Sequence, residues 1–451
     1  MRRFLAPLAP VVLSLLATFA CGDDDSGNGP TVDGGTLDVV VPPGNDLDTG
    51  TPDSGLNVSV QITGGTRADV GVVFEYGDGS FESVKTDTNG RASSTKGTPT
   101  KATALLLAGE RPTPVTWIEP AAGDVLAVRG HGEDPAPVGS VVVTLPATTS
   151  PRVFAEASVH CHAPLEGSTA TVSVLGLCVQ SDGKASFFAR ESEPSTGDAL
   201  RFAFLKDVPT NAPVTLPSWT DAVVNFTLTA STFPADVIVS GSVMELFKEL
   251  AYDDVGNGAT LTAGTAKTFK VADGFADAYQ AHVVVSSGNT FRLQLQRGTA
   301  RSATFDLSTL LSTLSAPTVT GDPQRPTIGW TGDTAKTTGG AVQVFYPVAN
   351  DGSGTWTIVV PAGKNQVDLP ALPAEAAAFA PRAGLALDAY SADDVEVAFA
   401  TTPSAVTPAL FRTRLAALVD IGDVGPLEVL RTAPVAVAGT VNVTGIAILR
   451  D

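Results

Sequence analysis

The sequence predicts an all-β protein: tandem antiparallel β-sandwiches that follow a signal peptide and a disordered Asp/Gly/Pro-rich stalk. Three observations predict it. Apolar residues alternate in short runs, and Gly, Asp, Asn and Pro interrupt them every roughly eight to twelve residues, as in sandwich folds. The chain carries 44 Gly and 32 Pro, while charged residues make up 17%, below the usual quarter. A hydrophobic content of 43% over 451 residues allows two to four domains, each with its own core. The segments read as 1–21 leader, 22–55 linker, 56–147 first sandwich, 148–315 second β-rich body and 316–451 third sandwich.

The leader has a basic start (Arg2, Arg3), then an apolar stretch from Phe4 to Ala20, ending at Cys21. That stretch is short for a membrane span, and Pro7 and Pro10 weaken a helix there, so cleavage fits better than spanning. Thr18-Phe19-Ala20-Cys21 resembles the bacterial lipoprotein signal. Ala20 matches that pattern, whereas Thr18 stands where the family usually has an aliphatic residue. The resemblance implies lipid attachment at Cys21; ordinary signal cleavage nearby and an uncleaved anchor are the alternatives. From Gly22 to Gly55 there is no Lys or Arg, and Val39-Val40-Val41 is the one apolar knot. Such a composition cannot offset its ordering entropy, which predicts a flexible stalk.

The first sandwich begins near Leu56. Val58, Val60 and Ile62 alternate, Val70 to Tyr76 forms a second run, and Gly77-Asp78-Gly79 turns the chain into Ser80–Thr86. Leu105–Ala108, Val125–Val128 and Val141–Leu145 are expected to complete it. The stretch Val70–Phe74, Asp78-Gly79 and Thr86-Asp87-Thr88-Asn89-Gly90-Arg91-Ala92 resembles carboxypeptidase-regulatory-like and bacterial Ig-like modules. That resemblance implies a sandwich serving as a scaffold or binding accessory, and carries no catalytic residue with it.

In the second body, Val153–His160, Thr169–Val174, Ala185–Ala189, Phe202 with Phe204, Val223–Leu228, Val237–Val239 and His282–Val285 read as strands, and Phe291, Leu293 and Leu295 alternate. Val243–Leu250 reads as a helix, with Leu246, Phe247 and Leu250 sharing a face. In the third, Pro323–Trp330, Val342–Tyr346 and Gly354–Pro361 resemble a fibronectin-III-like sandwich with Trp330 as its core aromatic. Leu385–Leu387, Val395–Phe399 and Val441–Ile448 continue as strands; Phe411–Val419 fits a helix or a strand equally.

With Cys21 lipidated, Cys161 and Cys178 remain as a pair in an oxidising compartment, and closing that loop stabilises by about 3 kcal/mol in the chain-entropy model. His160-Cys161-His162 with Cys178 has the residue types of a zinc site, but strand alternation turns both histidines away from Cys161, so a disulfide is the stronger reading and no metal is assigned. His131 is expected to be solvated in a loop and His282, at a strand start, partly packed. Asp46-Leu47-Asp48, Asp87-Thr88-Asn89-Gly90, Asp253-Asp254 and Asp351-Gly352 offer hard oxygens for calcium, yet none reproduces a calcium loop, and turn formation explains them. Of Trp117, Trp219, Trp330 and Trp356, Trp219 beside Pro217 is the best exposed platform for a sugar.

These readings point to a non-enzymatic bacterial cell-envelope protein, an outer-membrane lipoprotein acting as a binding, structural or adhesion scaffold, with no cofactor and an envelope protein or polysaccharide as partner. Net charge falls from −19 to −21 once Arg2 and Arg3 leave with the leader, which disfavours nucleic acid. The alternatives are a carbohydrate-binding accessory protein and a hydrolase within 148–315.

Overall fold

The computed structural model describes residues 57–63, 67–129, 137–148, 153–158, 161–165, 167–175, 178–180, 182–193, 195–233, 237–248, 250–287, 290–348, 352–390, 395–401 and 439–446. The leader, Cys21, the linker, His131, His160 and Phe411–Val419 lie outside them.

The chain is all-β. Its first strands are β1 (Ser59–Thr63), β2 (Gly71–Glu75), β3 (Phe81–Lys85), β4 (Arg91–Ser93), β5 (Lys101–Leu105), β6 (Leu107–Ala108), β7 (Arg111–Pro112), β8 (Val115–Ile118) and β9 (Val125–Arg129). Next come β10 (Gly139–Thr144), β11 (Phe154–Ser158), β12 (Cys161–Pro164), β13 (Thr169–Val174), β14 (Ala185–Ser192), β15 (Ala199–Val208) and β16 (Val214–Thr215). Then follow β17 (Val223–Ala230), β18 (Ile238–Phe247), β19 (Leu250–Thr260), β20 (Ala266–Ala272), β21 (Ala278–Ser287), β22 (Thr290–Gly298) and β23 (Ser302–Phe305). The last are β24 (Thr318–Asp322), β25 (Arg325–Gly329), β26 (Gly339–Pro347), β27 (Ser353–Pro361), β28 (Gln366–Asp368), β29 (Val395–Thr401) and β30 (Gly439–Ile446).

Turn chemistry sets the early strands. Asp87 Oδ1 accepts from the backbone N–H of Asn89 and Arg91 at 2.9 and 2.8 Å, so this aspartate shapes the β3–β4 turn. Gly90 closes that turn at φ 82°, and a Cβ there would sit 2.5 Å from the Ile62 carbonyl oxygen. Any side chain would force β1 and the turn apart.

A twelve-stranded sheet runs through the molecule in the order β19-β18-β21-β22-β30-β29-β26-β27-β8-β5-β2-β3. Three small sheets pack on this spine. β4-β1-β9 lays Val60, Ile62, Ala92, Leu126 and Val128 on Phe74, Ala102 and Trp117, and Leu293, Leu295, Ala341, Val359 and Ala400 join the same core. β24-β25-β28 covers Val342, Val344, Trp356, Ile358 and Phe399 with Ile328 and Val367. β20-β17-β23 covers Val243, Ala281, Val283 and Val285 with Phe226, Leu228, Phe269 and Phe305. Because side chains alternate across a strand, Ala341 and Val342 of β26 point into two different cores. A further sandwich pairs β13-β10-β16 with β12-β11-β14-β15.

Several expectations change. Val243–Leu250 is not a helix: it forms the end of β18, a turn and the start of β19. Every residue of β18 from Val239 to Phe247 is buried, Glu245 included, so the strand is covered on both faces and shows no alternation to tell it from a helix. Val141–Leu145 is a strand, but Val141, Val143 and Leu145 pack with Ala155 and Phe187 in the next sandwich. Leu385–Leu387 is not a strand; a short 3-10 helix starts at Leu387. Trp330 is a core aromatic, 4% exposed. Among the described residues no helix is long and apolar enough to cross a membrane.

Candidate functional site

Cys161 opens β12 and Cys178 follows β13; the two form a disulfide with Cα atoms 6.3 Å apart. Both are buried in the core between β13-β10-β16 and the four-stranded sheet. The bridge therefore ties an edge strand to the opposite layer. His162 points elsewhere, edge-on to the half-exposed Phe154 ring at 5.8 Å, as strand alternation requires.

Trp219 is half-buried, so its exposure is smaller than a free platform would have. Its Nε1–H donates to the Ala147 carbonyl at 2.8 Å, and the Arg201 guanidinium lies over the ring at 5.2 Å. Arg201 is held in turn by the buried Glu191, Nε to Oε2 at 2.6 Å, and this bond keeps the guanidinium pKa above its ordinary value. Glu191, Arg201 and Trp219 thus form one stack in which a cation occupies a ring face. A sugar stacking on Trp219 must use what Arg201 leaves uncovered.

Ser242 and His282 are directly opposite on β18 and β21, with Oγ and Nε2 2.9 Å apart and both residues buried. His282 lies inside β21 rather than at its start, and it shares a sheet face with its partner Leu295 in the first core. Glu245, an odd number of residues along β18, is carried to the opposite face by strand alternation. Sequence reading missed this pair because Ser242 and His282 are 40 residues apart. No short-range signal links two such positions.

The joint between the disulfide sandwich and the spine is aromatic. β14 sends Phe187 into the disulfide-bearing core and Phe188 the other way, into a cluster with Phe202, Phe247, Tyr252 and Phe275. Phe188 and Phe275 approach to 4.7 Å, and the Tyr252 hydroxyl donates to the Ser186 carbonyl at 3.2 Å. Burial is the main cause raising the Tyr252 pKa. At the rim, Lys248 Nζ donates to Asp207 Oδ1 at 2.5 Å and Gln180 Oε1 at 3.0 Å. That pairing raises the Lys248 pKa and lowers that of Asp207.

The aspartates offered for calcium are otherwise engaged or out of view. Asp87 serves its turn, Asp253-Asp254 lie within β19, and Asp46, Asp48 and Asp351 fall outside the described residues. Among the described residues no group of three or more His, Cys, Asp or Glu side chains could hold a metal ion.

No family model matches the sequence, and no curated protein is similar to it. Among solved structures, the Bacillus anthracis TIE protein is similar over 56% of this chain and 50% of that one, at 8% identity and a TM-score of 0.14. The chain thus spans half of that protein's length, and a likeness of this size carries no argument.

Proposed function

We propose that the chain is an exported, lipid-anchored β scaffold of the bacterial cell envelope that presents surface to another envelope component, and that it is not an enzyme. The observation that supports this reading best is the spine. One sheet joins strands from across the sequence, and a further sandwich docks on it through a buried aromatic joint. Such a body holds its edges and loops in fixed relation, which suits display. The disulfide supports an oxidising compartment, where such bonds persist. The leader ending at Cys21 supplies the hook, and the likeness of Val70–Ala92 to scaffold modules agrees with it. The acid excess of the chain favours a protein or neutral polysaccharide partner over nucleic acid.

The test is fractionation of cells fed a labelled fatty acid, comparing the native chain with Cys21→Ser. Label on the native chain alone, with Cys21→Ser lost from the detergent phase, is the expected result. A Cys21→Ser chain that still enters the detergent phase contradicts the anchor. A glycan array with Trp219→Ala as control separates a polysaccharide partner from a protein one: signal that disappears in the variant assigns sugar binding to the Arg201–Trp219 stack.

A further inference from the structure

One strand of the spine is remote in sequence from both of its neighbours. β30 lies between β22 and β29 and is antiparallel to each. Thr290 faces Ile446 through to Arg297 facing Gly439 on one side; Val397 faces Ile446 through to Thr401 facing Asn442 on the other. β22 and β29 do not pair with each other. Lifting β30 out leaves two open strand edges facing a slot one strand wide, about 9.5 Å across at two inter-strand spacings.

The strand that fills the slot reads Gly-Thr-Val-Asn-Val-Thr-Gly-Ile. It is uncharged and rich in β-branched residues, and it has none of the Lys or Pro that blunts strand edges. A main-chain ladder dictates direction and register, and it does not distinguish the molecule from which a strand comes. An antiparallel neighbour needs only about two to five connecting residues. Here 37 residues, 402–438, separate Thr401 from Gly439. At about 3.3 Å per residue a connection of that length can span on the order of 120 Å, so covalent linkage does not restrict β30 to its own slot.

We propose that the slot between β22 and β29 accepts the 439–446 strand of a second copy of this chain, giving a reciprocal strand-swapped dimer. The exchange makes the same ladders as the closed monomer, so chain concentration sets its extent. The inference needs neither the lipid anchor nor the scaffold reading.

Gln296 and Thr440 face each other across β22 and β30. The experiment uses full-length chains with Cys21→Ser, carrying Gln296→Cys, Thr440→Cys or both. The two single variants are mixed, unfolded, refolded together at high concentration under oxidising conditions, and resolved on non-reducing gels. The expected result is a covalent heterodimer at least ten times more abundant than any dimer from either variant alone, and increasing with concentration. In the double variant the same bond should form, as monomer in dilute solution and as dimer in concentrated solution. A double variant that closes only as monomer, with no heterodimer from the mixed singles at any concentration, overturns the proposal. Failure of the double variant to close at all overturns it too, because the ladder on which it stands would be absent.

Discussion

Two of the seams that join strands distant in sequence differ in how they are held. At the β27–β8 seam the ladder is parallel and short, from Thr357 facing Val115 to Val359 facing Trp117. Side chains reinforce it: Trp356 Nε1–H donates to Thr116 Oγ1 at 2.9 Å, Lys364 pairs with Glu119 at 2.6 Å, and Arg111 reaches Thr355. At the β22–β30–β29 seam the ladders are antiparallel and longer, and main chain forms them on both sides. The first seam is specified by named side chains, so it is particular to this pairing. The second is defined by its two main-chain ladders, the feature on which the proposed exchange rests.

Substitutions at the two seams should separate these materials. Trp356 is fully buried, and Trp356→Ala removes its packing and leaves Thr116 without its indole donor. We expect a loss of about 3–5 kcal/mol by denaturant unfolding; a loss under 1 kcal/mol would mean that side chains do not hold this seam. At the other seam Val443→Pro deletes a ladder N–H opposite Leu293 and Ala400. About 3 kcal/mol is expected, whereas Val443→Ile, which keeps the backbone donor and an apolar β-branched side chain, should cost about 1 kcal/mol. Equal effects of Pro and Ile would contradict a main-chain seam.

The smallest expected effect is at the free edge of the spine, where β3 carries Glu82. Burial acts to raise the Glu82 carboxyl, but hydrogen bonds from Thr95 and Tyr76 outweigh it and leave the pKa below its ordinary value. The Tyr76 phenol is correspondingly pushed up to about 12, burial first and Glu82 second. With its folded pKa depressed, Glu82 contributes stability that is present above the unfolded carboxyl pKa of about 4.3 and lost as pH falls through the folded value. Glu82→Gln should therefore cost about 1 kcal/mol at pH 7 and flatten the acid limb of a stability–pH curve. An unchanged acid limb would remove Glu82 from that account.

Much of the local fold is legible in the chain because turn chemistry is local. Asp87-Thr88-Asn89-Gly90 announces its turn, and alternation along Val58, Val60 and Ile62 announces a buried face that the structure shows. Cys161 and Cys178 are legible as a pair because few cysteines compete. What alternation does not encode is the partner. Val141–Leu145 reads as a strand, yet nothing in those residues says which sandwich it completes. Val243–Leu250 fails for a related reason: β18 is buried at every position from Val239 to Phe247, which erases the period that separates strand from helix. The Trp356–Thr116 bond spans 240 residues and Trp219 meets Ala147 across 72, so neither seam nor stack has a sequence signal of its own.

Amide hydrogen exchange on the full-length chain, resolved to peptides covering β8, β27, β22, β29 and β30, is the most direct check on the continuity of the spine. The account predicts that seam-facing amides in these strands exchange as slowly as those within the β18–β21 ladder. Fast exchange at both seams, alongside a protected β18–β21 ladder, would show separate sheets and contradict it.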